Sequence, residues 1–164
     1  MKYLKTSALA LGAVFAMGNL ASAGTAVPSH GYGLNTTTSS TATPLEGGAT
    51  LIKSTTHGFW VETSTEAGYP SEKVADCNAT LLLSAEGAPL AYRSVCSVSD
   101  VDGDLWIATI GATKPDFSDC AWVAHAGTGK YAGASGSGQC ASAGPLTKDG
   151  SSSKSTWTGE WVLP

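Results

Sequence analysis

Charge is scarce in this sequence: only 13% of its 164 residues are Asp, Glu, Lys or Arg. Globular helices lace their exposed faces with Glu–Lys pairs, and so thin a supply argues against a helical surface. Of the 9 basic residues, Lys2 and Lys5 sit at the extreme N-terminus, whereas all 13 acidic residues lie from Glu46 onward. The body of the chain is therefore acidic, which argues against an electrostatic grip on nucleic acid or an anionic membrane. Closely spaced cysteines are missing too. Without a C-x-x-C pair the usual zinc-binding pattern is absent. No segment sustains a helical period over three turns.

The basic start, Lys2 and Lys5, precedes the apolar stretch LALGAVFAMGNLA. That stretch is short and glycine-interrupted, a poor membrane span but a good export signal. Ala21-Ser22-Ala23 supplies the small residues that a signal peptidase reads, so residues 1–23 are expected to be a signal peptide cleaved after Ala23. No cysteine follows the junction to accept a lipid. The expectation is a periplasmic or secreted chain with no stable membrane association after cleavage. Residues 24–48, including GLNTTTSSTATP, hold little apolar surface and read as a flexible low-complexity leader. The tripeptide Asn35-Thr36-Thr37 fits a glycan acceptor but recurs by chance. Residues 49–164 remain as one domain.

Short apolar and β-branched runs recur through that domain, at 49–55, 58–64, 78–85, 89–99, 104–111, 120–126, 134–142 and 155–163. Gly, Pro, Asp or Ser clusters bound most of them. Eight such strands make an antiparallel barrel or a sandwich. Val101-Asp102-Gly103-Asp104 carries the Asp-Gly signal of a two-residue hairpin, which pairs Val98 with Ile107 and Val95 with Ile110.

Four cysteines, Cys77, Cys96, Cys120 and Cys140, allow three connectivities in an oxidising compartment. Spacing selects one of them. The midpoint of Cys77 and Cys96 falls in the turn signal SAEGAP, and that of Cys120 and Cys140 falls on Lys130 within GTGKYAG. Residues equidistant from a hairpin turn face each other at disulfide distance. The expected bridges are Cys77–Cys96 and Cys120–Cys140.

The stretch from His125 to Cys140, HAGTGKYAGASGSGQC, superficially suggests a phosphate loop. It fails in detail: Ala124 stands where a P-loop needs its first glycine, and Tyr131 where it needs Ser or Thr. Folded about Lys130, it becomes a hairpin with Trp122 opposite Gly138, Ala124 opposite Gly136, Val123 opposite Ser137, Ala126 opposite Ala134 and His125 opposite Ser135. A residue without Cβ beside an indole gives the ring space.

GTGKYAGASGSG resembles the glycine-rich hairpin of the allene oxide cyclase-like and dirigent-like barrels, and CSVSDVDGD is similar to a segment of exported bacterial relatives of those barrels. The resemblance implies an eight-stranded antiparallel β-barrel, related in shape to lipocalins and able to enclose a cavity. It carries no activity across, because the plant enzymes' pocket residues map to no position in this sequence.

No catalytic constellation emerges. There is no G-x-S-x-G elbow, and His30 lies in the leader. His57 and His125 are isolated strand histidines, and nothing brings any two of Glu62, Glu66, Asp76 and Glu160 together. Asp100, Asp102 and Asp104 hint at calcium, yet Gly103 stands at position four of that run and Gly111 at position twelve, where an EF-hand needs glycine at six and glutamate at twelve. No cofactor or metal site is read. Trp60, Trp106, Trp122, Trp157 and Trp161 are many for so small a chain. They serve either as core or as an aromatic pocket for an apolar or sugar-like ligand. The functional expectation is a non-enzymatic barrel that binds a small apolar molecule or serves as a structural or partner-binding module. The alternative is a cyclase- or isomerase-like enzyme with a shaped pocket. An inhibitor presenting Pro70 in EAGYPSEK, the longest inter-strand loop, is a third class.

Overall fold

The computed structural model describes residues 24–164; the signal peptide expected over residues 1–23 lies outside them. Eight strands run in chain order: β1 Thr25–Pro44, β2 Thr50–Glu62, β3 Glu72–Leu83, β4 Pro89–Asp100, β5 Leu105–Ala112, β6 Ala121–Gly127, β7 Ser135–Pro145 and β8 Ser152–Leu163. Each pairs antiparallel with its neighbours in sequence, and β1 pairs with β8 to close the barrel. Closure removes both sheet edges. Both disulfides form as the spacing requires: Cys77–Cys96 with Cα atoms 4.0 Å apart, and Cys120–Cys140 at 5.0 Å. Each ties a loop of about 20 residues, worth about 3 kcal/mol in the chain-entropy account.

The flexible leader expected over 24–48 is instead β1, a 20-residue strand that lies between β2 and β8. The composition misled because the inward positions of β1 are small so that neighbours can be large. A Cβ on Gly31 would lie 2.5 Å from Trp157 Cζ2, and one on Gly33 would lie 2.8 Å from Trp60 Cδ1. The apolar surface that stabilises β1 thus belongs to β2 and β8. Its Thr and Ser residues suit an extended backbone, and Thr38 and Ser39 hydrogen-bond Thr55 Oγ1 at 2.8 and 2.7 Å. The runs at 49–55 and 58–64 join into the single strand β2, so eight strands are reached by a different division of the chain.

A second correction concerns the Asp-Gly turn. Val98 pairs with Trp106, and Val95 with Thr109, one residue away from the expected register. The loop holds three residues, Val101 to Gly103, because Asp100 closes it by pairing with Asp104. Its backbone N–H donates to Asp104 O at 3.0 Å, and its carboxylate accepts from the N–H groups of Asp102 and Asp104. Only Gly103 takes a positive φ, 83°. A one-residue slip exchanges faces along a strand, and here it turns Trp106, Ala108 and Ile110 inward.

The β6–β7 hairpin has the expected register, with Trp122 opposite Gly138, Val123 opposite Ser137 and Ala124 opposite Gly136. Pairing stops there, so neither His125 with Ser135 nor Ala126 with Ala134 forms a ladder pair. A short 3-10 turn, Gly129–Tyr131, follows and sends Tyr131 into the core. The core is mainly aromatic. Trp161 lies 4.9 Å from Trp106, 5.3 Å from Tyr69 and 6.1 Å from Trp122, centroid to centroid. Each buried indole removes on the order of 200 Å² from water, worth about 5 kcal/mol before ordering costs.

A chain beginning at residue 49 tests the role of β1. It would leave β2 and β8 with open edges and uncover Trp60 and Trp157, so aggregation and loss of the near-ultraviolet circular dichroism of the full barrel are expected. A soluble, cooperatively folding product would mean that β1 is dispensable.

Candidate functional site: an aromatic cavity with a polar floor

The strands enclose a cavity of about 340 Å³. All five tryptophans line it, as do Cys77, Cys120 and Cys140 of the two disulfides. Alternation puts them there: even positions of β2 and odd positions of β8 face inward, placing Trp60, Trp157 and Trp161 on the inner wall. Their rings form a continuous chain, with Trp157 at 5.6 Å and Trp106 at 6.3 Å from Trp60. Trp106 then leads on to Trp161 and Trp122.

One end of the barrel is sealed. The loop between β2 and β3 folds back over it, bringing Tyr69 to 4.5 Å from Tyr131. Pro70 belongs to this plug and does not project as an inhibitory loop would; its carbonyl accepts from Lys73 Nζ at 2.8 Å. At the opposite end the half-buried side chains of Leu81, Tyr92, Phe117 and Ser153 line the rim. Phe117 packs edge-on against Tyr92 at 6.0 Å and holds a left-handed backbone, φ 55°. The Asp119 carboxylate fixes this loop by accepting from Thr113 Oγ1 and from the backbone N–H groups of Thr113 and Lys114.

The sealed end carries the polar groups of the cavity. Glu62, only 5% exposed, accepts from Ser29 Oγ at 3.2 Å, from the His30 N–H at 2.8 Å and from Ser64 Oγ. Lys73 is 3% exposed and shares the same wall. Burial pushes its amine pKa down, against the opposing pull of Glu62, Asp100 and Glu72. The indole N–H groups of Trp106 and Trp161 and the Tyr69 hydroxyl are buried without a hydrogen-bond partner. By contrast, the Trp60 N–H donates to Asn35 Oδ1 at 2.9 Å. Ser29, Glu62 and Lys73 give the otherwise apolar cavity a few polar groups at this end, which suits a small molecule with a polar end.

The remaining sequence candidates lie elsewhere. His57 Nδ1 meets Asp76 Oδ1 at 2.8 Å on the exposed outer face, and His125 Nε2 meets Thr109 Oγ1 there at the same distance. Glu160 also points outward, so Glu62 is the one member of the carboxylate set Glu62, Glu66, Asp76 and Glu160 that lines the cavity. Sequence reasoning missed Lys73. Its parity offered a signal, since Lys73, Ala75, Cys77 and Ala79 alternate along one face of β3.

Asp100, Asp102 and Asp104 converge on an ammonium group. Lys130 Nζ lies 2.9, 3.0 and 2.8 Å from their respective Oδ2 atoms. Among the described residues no group of three His, Cys, Asp or Glu is arranged to hold a metal ion. The two motifs that attracted attention in the sequence, DVDGD and GTGKY, are thus two halves of one clasp. Tyr131 completes it by donating its hydroxyl to Asp100 Oδ2 at 3.0 Å.

Comparison with protein-family models, curated proteins and solved structures finds no match for this chain.

The clasp predicts an acid response. Burial raises the Asp100 pKa, but hydrogen bonds from Lys130, Tyr131 and the Asp102 N–H outweigh it and bring the value below its ordinary 3.8. Hydrogen bonds from the Lys130 side chain and backbone lower Asp104 similarly, and Thr113 leads the groups that take Asp119 to about 2. For a depressed carboxyl the stabilisation is complete above the unfolded-state value and is lost as pH falls through the folded-state value. Lys130, its pKa raised first by Asp104 and then by Asp100, stays protonated throughout the acid range, so the clasp is lost only as the aspartates take up protons. Stability should therefore hold to about pH 4 and fall between there and about pH 2. Lys130→Met, which leaves the Asp100 carboxylate buried and uncompensated, should move acid unfolding to higher pH by tryptophan fluorescence. Coincident transitions for the two proteins would contradict the role given to the clasp.

Proposed function

We propose that this chain is an exported, non-enzymatic barrel that binds a small, largely apolar molecule in its tryptophan-lined interior. The observation that carries this reading is the cavity itself. About 340 Å³ of space walled by five indoles lies within the range of small-molecule sites. Export is supported by the two disulfides, which persist in oxidising compartments, together with the signal-peptide pattern of residues 1–23. The outer wall carries exposed Glu72, Asp76, Arg93 and Glu160, charges that favour an aqueous surround over a lipid-facing one. The closed eight-stranded barrel and the GTGKY hairpin also agree with kinship to the allene oxide cyclase-like and dirigent-like barrels.

Titration with naphthalene, a fatty acid, a phenol and a sugar, followed by tryptophan emission and thermal unfolding, tests the binding reading. Ligands that fill the cavity should quench or shift the emission. At a free concentration of 100 times Kd they should stabilise the fold by about 2.7 kcal/mol. A panel without effect on either signal would leave the barrel with a structural or partner-binding role.

One observation favours a second reading, a cyclase- or isomerase-like enzyme. Glu62 is buried on the cavity wall with Lys73, and a carboxylate and an amine there give a shaped apolar pocket the means to move a proton. Turnover of a bound compound that falls by 100-fold or more in Glu62→Gln, with quenching retained, would favour the enzyme. Equal turnover in both proteins would discard it.

A further inference from the structure

We propose that Lys73 is a carbonyl-capturing site, at which its amine condenses with a small apolar aldehyde held against the tryptophans to form an imine. The inference rests on the cavity being a ligand site and names the chemical class that it would take.

Three features of Lys73 set it apart. Alternation along β3 turns it inward, and its side chain lines the cavity together with Trp60, Trp106 and Trp161. Its Nζ has one hydrogen-bond partner, the Pro70 carbonyl, and the lysine ion pairs among the described residues all belong to Lys130. Lys154 also touches the cavity, but at the other end of the barrel, where its ammonium lies 4.9 Å from the ring of Tyr32. A buried amine without a paired carboxylate gives up its proton more readily than a solvated one, and the free amine is the nucleophile. Burial lowers the Lys73 pKa as this requires, although Glu62, Asp100 and Glu72 oppose it.

The chemistry needs no external oxidant or reductant. The nitrogen lone pair attacks the carbonyl carbon and forms a C–N bond. The carbonyl π electrons move to oxygen, which takes up a proton as the nitrogen gives one up, and the product is a carbinolamine. Loss of its hydroxyl group together with the remaining N–H proton, as water, leaves the C=N bond. Glu62, on the same wall, is the carboxylate placed to carry protons between nitrogen and oxygen. The apolar wall holds an unsaturated or aromatic skeleton, and the water formed leaves toward the rim.

The test uses the full barrel at pH 7 with limiting trans-cinnamaldehyde and sodium cyanoborohydride, which reduces an imine to a stable secondary amine. Peptide mapping by mass spectrometry should place the adduct on Lys73, at least tenfold ahead of the exposed Lys53, Lys114 and Lys148. Lys73→Arg keeps a cation and a donor toward Pro70 but cannot form an imine. It should take up aldehyde no faster than its surface lysines do, with near-ultraviolet circular dichroism confirming its fold. Modification spread evenly over the lysines, or equal labelling of the Arg variant, would overturn the proposal. Naphthalene, which has no carbonyl, separates the two readings. If it quenches the tryptophans while Lys73 stays unlabelled, carbonyl capture alone is wrong; if it leaves them unchanged and Lys73 is also unlabelled, the cavity reading is lost with it.

Discussion

The packing of indole rings into spaces left by glycine holds this barrel in register. Trp122 crosses toward β7 and β8, where a Cβ on Gly138 would lie 2.7 Å from its Nε1 and one on Gly159 would lie 2.8 Å from its Cζ2. Gly31 and Gly33 do the same for Trp157 and Trp60. Protein interiors tolerate neither overlap nor gaps, so each large ring fixes the level of the small residues across the ladder. Sliding β1, β7 or β8 by one residue would set side chains where only hydrogen fits. The disulfides reinforce this arrangement on the inner wall but do not by themselves specify it.

The same rings make the interior asymmetric. At one end the β2–β3 loop, Tyr69 and Tyr131 cover the core, and the Lys130 clasp ties the β4–β5 turn to the turn after β6. Asp100, whose side chain has no solvent exposure, is compatible with burial because Lys130, Tyr131 and two backbone N–H groups satisfy it. Glu62 and Lys73 follow the same rule only in part. Glu62 has hydroxyl and backbone donors, whereas Lys73 has a single carbonyl acceptor. That difference makes the sealed end chemically interesting as well as mechanically closed.

Reading the sequence succeeded where information was local or symmetric. The cysteine pairs could be assigned because their midpoints coincide with turn signals, and the β6–β7 register followed from the same reflection. It failed at β1, whose residues carry little apolar surface of their own and are ordered by what neighbours contribute. It failed by one residue at the β4–β5 turn, because the preference of Asp-Gly for a two-residue loop was outweighed by Asp100. That carboxylate caps two N–H groups and binds a lysine 30 positions away. Lys73 went unnoticed because EAGYPSEK read as a loop, whereas β3 begins at Glu72 and its alternation with Cys77 puts Lys73 on the inner face.

Residue order alone thus determined an all-β chain, the two disulfides and the hairpin that carries Trp122, since each depends on alternation and on distance from a turn. Tertiary structure decided that β1 belongs to the wall, that five scattered tryptophans share one cavity, and that three aspartates serve a lysine. Those outcomes depend on closing the ring of strands. Closure brings β1 beside β8 and turns side chains from distant strands toward a common axis, and no window along the sequence contains that encounter.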